Sequence, residues 1–177
     1  PGLSPHTIDI SEVRDQFLRS AELEQDFHAS DIACIDLSDC TLSNFSLADS
    51  YIEQVDFSGA ATSNVDFSLA IMVRNILSKA TFENCDFSAA NLGAASFAQS
   101  RFQDCDFKDT ILSGAKFSNS SFSQCSFHAN QLLGVTMNDV VFEHCTFSEL
   151  FFVETDLQDV SFRSCKVAKG VFMQGQG

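Results

Sequence analysis

Thiols are the most regularly placed reactive groups in this chain. Seven of its 177 residues are cysteine, and five of them recur at every twentieth position: Cys85, Cys105, Cys125, Cys145 and Cys165. Evenly spaced thiols could form disulfides or bind a metal ion, and each use demands its own geometry. A structural zinc site needs four ligands that converge on one point, whereas a disulfide needs Cβ atoms about 3.8 Å apart.

Other residues able to do chemistry lack partners at the required spacing. The histidines occur singly, without an HExxH motif or the Cys–His spacing of a zinc site. Asp66, Asp86 and Asp106 recur at the same interval as the cysteines and could be read as paired carboxylates, but aspartate at this place in a repeat is expected to bond to the turns. The chain contains neither a G-x-S-x-G motif nor a glycine-rich phosphate loop. We therefore predict no enzyme activity, no cofactor and no metal site.

A five-residue period sets the position of all these groups. A large apolar residue falls on every fifth position from Phe82 to Phe172, and a smaller residue falls two positions before it. In an α-helix five residues turn by about 500°, so the apolar residues would not share a face. In a plain strand, alternate multiples of five would point to opposite sides. The period fits a short extended piece followed by a corner, and four such units close a square coil whose length equals the interval between the cysteines.

Stacked coils would align identical side chains in columns. Neighbouring coils would lie about 4.8 Å apart, as strands in a sheet do, and the thiols would then be parallel at that separation. Such a column suits neither a disulfide nor a metal site, so we expect buried, reduced cysteines, which are typical of a cytoplasmic protein. Thr62 is the one polar repeat centre between Ile32 and Phe172, which predicts a weak point in the core.

The repeat units resemble those of the pentapeptide-repeat family, whose consensus is roughly A-(D/N)-(L/F)-(S/T/R)-x. The resemblance covers about residues 30–174 and is clearest in VDFSG, VDFSL, CDFSA, ANLGA and CDFKD, centred on Phe57, Phe67, Phe87, Leu92 and Phe107. It implies an all-β fold, a right-handed quadrilateral β-helix, which is a solenoid with four pentapeptide repeats in each coil. We predict this solenoid over residues 27–177.

Residues 1–26 are predicted to form an N-terminal tail and a short capping α-helix. Asp9 and Glu12 have the spacing of a capping box, and apolar residues recur at helical spacing from Ile10 to Ala21. The helix would lie across the open end of the β-helix. It would thereby cover backbone groups that otherwise invite edge-to-edge association.

The overall charge limits the partners of the protein. A formal net charge of −14 opposes direct binding of nucleic acid, because phosphates are bound by Lys and Arg. No apolar run approaches the length of a membrane span, which is about 18 residues or more. The acidity is uneven: residues 1–73 hold 13 acids and two bases, a net of −11, and residues 74–177 hold 11 acids and eight bases, a net of −3.

One of the four outer faces is predicted to be apolar and to bind a protein. It is centred on the repeat centres Ile52, Met72, Leu92, Leu112, Leu132 and Phe152. Its outward positions hold Tyr51, Ile71, Val73, Ile111, Leu133, Phe151, Val153, Val171 and Met173. The other three faces are predicted to be polar. Asn91 and Gln131 interrupt the apolar strip; an exposed strip of this kind usually marks an interface, although single surface hydrophobes are ordinary.

These patterns predict a non-catalytic scaffold or protein–protein interaction module that is part of a larger bacterial protein. It would hold a protein partner, or a second copy in a homodimer, on the face around Ile71, Ile111, Leu133 and Phe151. The family resemblance adds two alternatives. Some acidic members resemble duplex DNA and bind type II topoisomerases such as gyrase, although the acids here gather at one end of the rod. The helix that leads into the repeats also resembles the start of type VI secretion-associated domains, which implies an accessory domain or a secreted effector.

Overall fold

The repeats wind into one parallel β-solenoid. The computed structural model describes residues 14–19, 27–155, 157–168, 170 and 172–174. Successive coils pair in parallel with an offset of four repeats, as in Thr41↔Ala61 and Asp86↔Asp106. The predicted fold class, a four-sided β-helix of pentapeptide repeats, is confirmed, with about 6 turns.

The strands are short because a corner follows almost every repeat centre. Their bounds are β1 Thr41–Ser46, β2 Ala61–Asp66, β3 Thr81–Glu83, β4 Arg101–Gln103, β5 Ser121–Ser123, β6 Ser126–His128, β7 Gln131–Leu133, β8 Val141–Glu143, β9 Thr146–Ser148, β10 Phe151–Val153, β11 Ser161–Arg163, β12 Lys166–Val167 and β13 Phe172–Gln174. They form sheets in the orders β1-β2-β3-β4-β5-β8-β11, β12-β9-β6 and β13-β10-β7. Single-residue bridges continue the pairing around the remaining walls of each coil.

A residue in the left-handed region makes each corner. From Ala29 to Ser164, the residue two positions after every repeat centre has a φ between 50° and 71°. This region is unfavourable for most residues that carry a side chain, and Asn and Asp tolerate it best. Accordingly, one corner column contains Asn44, Asn64 and Asn84, and the Asn amides donate to one another from coil to coil at 3.0 and 2.7 Å.

The interior is filled by columns of stacked side chains. The rings of Phe87, Phe107 and Phe127 are nearly parallel, with centroids 5.1 and 4.9 Å apart, close to the spacing of the coils. Rings in neighbouring columns meet edge to face, as Phe107 and Phe122 do at 5.8 Å and 75°. Both arrangements are favourable for aromatic quadrupoles, and the predicted columns of identical residues are confirmed.

A short helix closes the N-terminal end of the interior. Residues 14–19 are helical, and Phe17 is buried against Phe27 and Phe45, with ring centroids 4.7 and 6.0 Å away. The Nε of Arg14 donates to the carbonyl oxygen of Asp36 at 2.6 Å, which supplies a donor to the edge of the first coil. Residues 1–13 and 20–26 lie outside the described residues, so the capping box at positions 9 and 12 and the domain boundary at residue 26 stay predictions. Within the described residues, no helix has the length and apolarity needed to cross a membrane.

The last strand departs from the predicted register. Strand β13 pairs with β10 one position beyond the usual offset, which places Phe172 opposite Phe151 and Met173 opposite the buried Phe152. The expectation that Phe172 continues the row of repeat centres is therefore wrong by one position. Met173 likewise takes the register position of a repeat centre instead of the predicted outward one. The shift follows Gly170, whose φ of 79° puts a left-handed residue one place later than in the preceding corners.

Candidate functional site: the apolar outer face

The apolar face is built by the outward residues on either side of one column of repeat centres. Single-residue bridges at Tyr51, Ile71, Asn91 and Ile111 form its first part, and strands β7 and β10 form its second part. Because neighbouring residues in an extended segment point to opposite sides, each buried centre is flanked by two outward side chains. The parallel pairing then aligns these side chains in two columns along the solenoid.

The structure brings most of the predicted residues together on this face. Five of them are between 41 % and 48 % exposed: Tyr51, Ile71, Ile111, Leu133 and Phe151. Val73 and Val153 are half-buried beside them. Val171 lies outside the described residues, and Met173 is out of register. Five large apolar side chains are therefore exposed to solvent on one wall of the solenoid.

Polar residues divide the apolar face into two patches, and the predicted interruption at Gln131 lies within the second of them. The N-terminal patch consists of Tyr51, Ile71 and Val73, and the C-terminal patch consists of Ile111, Leu133, Phe151 and Val153. Asn91 and Gly93 lie between them, where the Asn91 side chain accepts a hydrogen bond from the Gly93 amide at 3.1 Å. The interruption that the sequence predicts at Asn91 is therefore present in the structure.

The N-terminal patch is tied to charged groups. The Tyr51 hydroxyl donates to the Glu53 carboxylate, and this hydrogen bond raises the pKa of the exposed Tyr51. Arg74 forms an ion pair with the same carboxylate at 3.4 Å. The polar end of Tyr51 is thus already occupied, and this patch presents a mixed surface.

The C-terminal patch is flanked by three carboxylates, one of which, Asp109, directly follows the exposed Lys108 in the chain. Asp109 precedes Ile111 by two residues, Glu149 precedes Phe151 by two, and Glu154 follows Val153 directly. All three acids are exposed corner residues. No ion pair involves them among the residues that the structure describes. An apolar patch with negative margins on both sides results.

Sequence reasoning missed four exposed apolar residues. Two of them, Phe162 and Val167, are repeat centres that were expected inside, but they are 47 % and 66 % exposed because β11 and β12 are end strands of their sheets. The other two point outward. Leu69 is 57 % exposed at the corner beside Ile71, and it has a left-handed φ of 61°. Ile76 is 44 % exposed on the adjoining face, which was expected to be polar, and this expectation is wrong at that coil. Leu69 could have been identified from the five-residue period, because it is an apolar residue at a corner position, two residues after a repeat centre.

The cysteine column has a structural role. Cys85, Cys105, Cys125 and Cys145 are free and buried, as predicted, and Cys165 is half-buried. The thiols of Cys145 and Cys165 contact carbonyl groups of the preceding coil at 3.4 Å, and that of Cys125 contacts the Ser123 carbonyl of its own coil at 3.3 Å. The thiol of the following coil, together with burial, raises the pKa of Cys85 and of Cys105. These two thiols therefore stay protonated. Among the described residues, no group of three or more His, Cys, Asp and Glu side chains is placed to hold a metal ion.

The stacked aspartates serve the turns. The side chains of Asp66 and Asp86 each accept a hydrogen bond, at 2.8 Å, from the amide of the residue two positions later. Asp106 does the same at 2.9 Å and also accepts from the Ser126 hydroxyl at 2.7 Å. The predicted role of these residues in the turns is confirmed.

A second surface feature is a shallow groove on the sheet that starts with β1. It has a volume of about 410 Å³ and is lined mainly by small residues around Arg101, including Ala61, Ser63 and Ser121. It is open to solvent and contains no cluster of reactive groups among its lining residues.

Comparison with known proteins identifies relatives of the fold. Family models match the chain as a pentapeptide repeat region over residues 75–136 and as pentapeptide repeats (8 copies) over residues 50–88. A pentapeptide repeat protein from the Arabidopsis thaliana thylakoid lumen is 25% identical, with a TM-score of 0.51 over 53% of this chain and 66% of that chain. The chain thus spans just under two thirds of that protein's length.

Two further solved structures are similar over most of their length. Rfr23, a pentapeptide repeat protein from the cyanobacterium Cyanothece 51142, is 12% identical, with a TM-score of 0.46 over 88% of this chain and 95% of that chain. QnrB1, a plasmid-mediated fluoroquinolone resistance protein, is 18% identical, with a TM-score of 0.35 over 82% and 92%. No curated protein sequence matches the chain.

Proposed function

We propose that this chain, which belongs to the pentapeptide-repeat family, is a non-catalytic scaffold that binds a protein through its apolar outer face. The observation that carries the proposal is the exposure of Ile111, Leu133 and Phe151, at 47–48 % each, on one wall of the solenoid. Solvent-exposed apolar clusters that interrupt a polar surface are typical of protein interfaces. The finer assignments, to a bacterial parent protein and to the cytoplasm, are part of this proposal.

The rigidity of the solenoid supports a binding role. Each coil is bonded to the next through its backbone, as in Leu92–Ile111 at 2.9 Å and Gly114–Leu133 at 2.8 Å. The apolar side chains are therefore held in fixed columns before a partner arrives, which lowers the entropy lost on binding. The thiols and aspartates that could have formed a reactive site make structural hydrogen bonds. The thiols bond to carbonyl groups of the core, and the aspartates bond to turn amides.

The two alternatives have no comparable support. A topoisomerase-binding DNA mimic or a secretion-associated domain would each need a feature that distinguishes it from a general scaffold. The described residues present exposed acids mostly singly at the corners, as at Asp109 and Glu149. The apolar wall is the feature that sets one side of this molecule apart, and it favours the scaffold.

The test is a variant in which Ile111, Leu133 and Phe151 are replaced by serine. We expect its far-UV circular dichroism to match that of the wild type, because none of these side chains fills the interior. We expect it to lose the association, with itself or with a partner, that cross-linking and sedimentation velocity detect for the wild type.

Ile76→Ser is the matched control, because Ile76 has a similar exposure of 44 % on the adjoining face. It should retain the association. If the triple variant associates as the wild type does, the apolar face is not the binding surface.

A further inference from the structure

The C-terminal patch has a definite shape, set by the register of the coils. Ile111 and Phe151 lie in one outward column, with the coil of β7 between them, because Phe151 pairs with Gln131 and the Gly114 amide bonds to the Leu133 carbonyl. Two coil spacings separate these residues by about 10 Å. Leu133 lies in the other column, about 7 Å across the strand. The patch is therefore a small triangle aligned with the solenoid axis, and the polar residue Gln131 occupies the position between Ile111 and Phe151 in their column.

The size of the patch argues against a second copy as its occupant. Three large apolar side chains at just under half exposure, with the half-buried Val153, present about 300 Å² of apolar surface. A stable protein–protein interface buries about 800 Å² on each partner, of which about 450 Å² is apolar. The patch matches the contact area of a single peptide segment better than that of another folded wall.

The charges at the margins of the C-terminal patch also argue against a second copy as its occupant. Asp109 and Glu149 border one side of the patch and Glu154 borders the other, and all three are exposed. A second copy related by a two-fold axis would bring the same carboxylates face to face, and like charges so placed oppose association. A partner with cationic margins would instead be attracted to both sides.

We propose that the C-terminal patch is a docking site for a basic amphipathic helix that lies along the solenoid axis. The proposal rests on the function proposed above and names the partner class for that face. The helix places an apolar stripe on Ile111, Leu133 and Phe151. Lys or Arg side chains on both flanks of the stripe meet Asp109, Glu149 and Glu154.

The dimensions of an α-helix match those of the patch. Successive turns of a helix rise by about 5.4 Å, close to the coil spacing of about 4.8 Å. Residues i and i+7 are about 10.5 Å apart along the helix axis, which is the separation of Ile111 and Phe151. An intervening residue at i+3 or i+4 lies between them on the same face, and it can contact Leu133.

Synthetic peptides test the proposal directly. The probe is a peptide about 18 residues long, sufficient for partial helix formation, with a leucine stripe flanked by lysines. One control peptide replaces every lysine by glutamate, and a second has the same composition in an order without an apolar face. Binding to the intact chain is measured by fluorescence anisotropy at about 50 mM and about 300 mM salt, because exposed charge pairs are screened as salt rises.

Two protein variants separate the apolar and ionic contributions. Replacing Ile111, Leu133 and Phe151 by serine removes the stripe contact. The variant D109N/E149Q/E154Q removes the margin charges and leaves the apolar residues in place. Its matched control, E83Q/E143Q/D104N, removes the same number of charges from acids that are exposed on another wall and its corner.

We expect the lysine peptide to bind the wild type at least tenfold more tightly than either control peptide. The serine variant should lose binding, and D109N/E149Q/E154Q should bind at least fivefold more weakly, with a smaller dependence on salt than the wild type has. The control variant should bind as the wild type does. Equal binding of the lysine and glutamate peptides, or equal weakening by the two charge variants, would overturn the proposal.

A dimer abolished by the serine substitutions, seen in sedimentation velocity, would overturn the basic-helix proposal and leave the interaction face intact. A serine variant that changes neither peptide binding nor any association would overturn both.

Discussion

The inner and outer residues of the same coils differ in how regularly their residue types repeat. In one inner column, Phe82, Phe102, Phe122 and Phe142 repeat without change, with ring centroids 4.8 to 5.0 Å apart. The outward column directly beside it contains Thr81, Arg101, Ser121 and Val141, which share no property. The backbone register is common to both. Stacking constrains the inner column, because each ring must fill the space left by its neighbours, whereas the outer column meets only solvent or a partner.

This difference indicates where function can reside. A solenoid keeps its backbone geometry as long as its interior is filled, so its outer residues can vary from coil to coil without loss of the fold. The apolar face is a departure from a polar exterior that the fold does not require. The change in the free energy of unfolding should therefore differ in size, and in some cases in sign, between substitutions inside the solenoid and substitutions on its outer surface.

The largest effect is expected from Phe107→Ala. Phe107 is 0% exposed and stacks between Phe87 and Phe127 at 5.1 and 4.9 Å. Because rigid coils above and below prevent collapse of the cavity, the free energy of unfolding should fall by about 3–5 kcal/mol. Urea denaturation followed by circular dichroism measures the loss.

Phe162→Ala provides the comparison for this substitution. Phe162 belongs to the adjoining inner column and stacks on Phe142 at 5.2 Å, but it is 47 % exposed. Phe162→Ala should lower the free energy of unfolding by less than half as much as Phe107→Ala does. Equal losses at both positions would show that burial does not determine the contribution of a stacked ring.

The regular part of the structure could be predicted from the sequence, because a strict period leaves few ways to fold. The phenylalanine columns, the buried thiols and the turn role of Asp86 all follow from residues that repeat within each coil and from coil to coil. The shifted register of β13 could not be predicted in this way. Phe172 stays on the five-residue period in the sequence, but its pairing depends on the backbone at the corner near Gly170.

The apolar face was predictable in position but not in its details. Alternation within a short strand identified Ile111, Leu133 and Phe151 as outward residues. Alternation does not apply to corner residues, and it therefore gave no prediction for Leu69. It also could not reveal that Glu53 binds both Tyr51 and Arg74, because these contacts depend on side-chain conformations between different coils.

A smaller effect, and a gain, is expected from Thr62→Val. Thr62 is a repeat centre that pairs with Leu42 and Phe82, and it is only 3% exposed. Its hydroxyl oxygen has no hydrogen-bond partner among the described residues. Valine has the same shape without this buried polar group, so the free energy of unfolding should rise by about 1–2 kcal/mol.

Thr110→Val is the control for that prediction. The Thr110 hydroxyl is buried as well, but it donates to the Phe87 carbonyl at 2.8 Å. The same substitution should therefore destabilise the protein by about 1 kcal/mol. If both threonine variants change stability in the same direction, hydrogen bonding does not distinguish these two positions.

The smallest effect is expected on the outer surface, from Leu69→Asn. Leu69 is 57 % exposed and has a left-handed φ of 61°, a conformation that asparagine adopts more readily than leucine. The substitution should stabilise the protein by about 0.5 kcal/mol. Ile71→Asn serves as the control, because Ile71 is also exposed but lies in an extended bridge, where asparagine is disfavoured.

Thermal denaturation of the two asparagine variants should show melting temperatures that shift in opposite directions. A loss of stability in Leu69→Asn would mean that the leucine packs on its neighbours more than its exposure indicates. If Leu69→Asn is stabilised but associates more weakly with a partner, then leucine is retained at this corner against its conformational cost, and the apolar face extends around the edge of the solenoid.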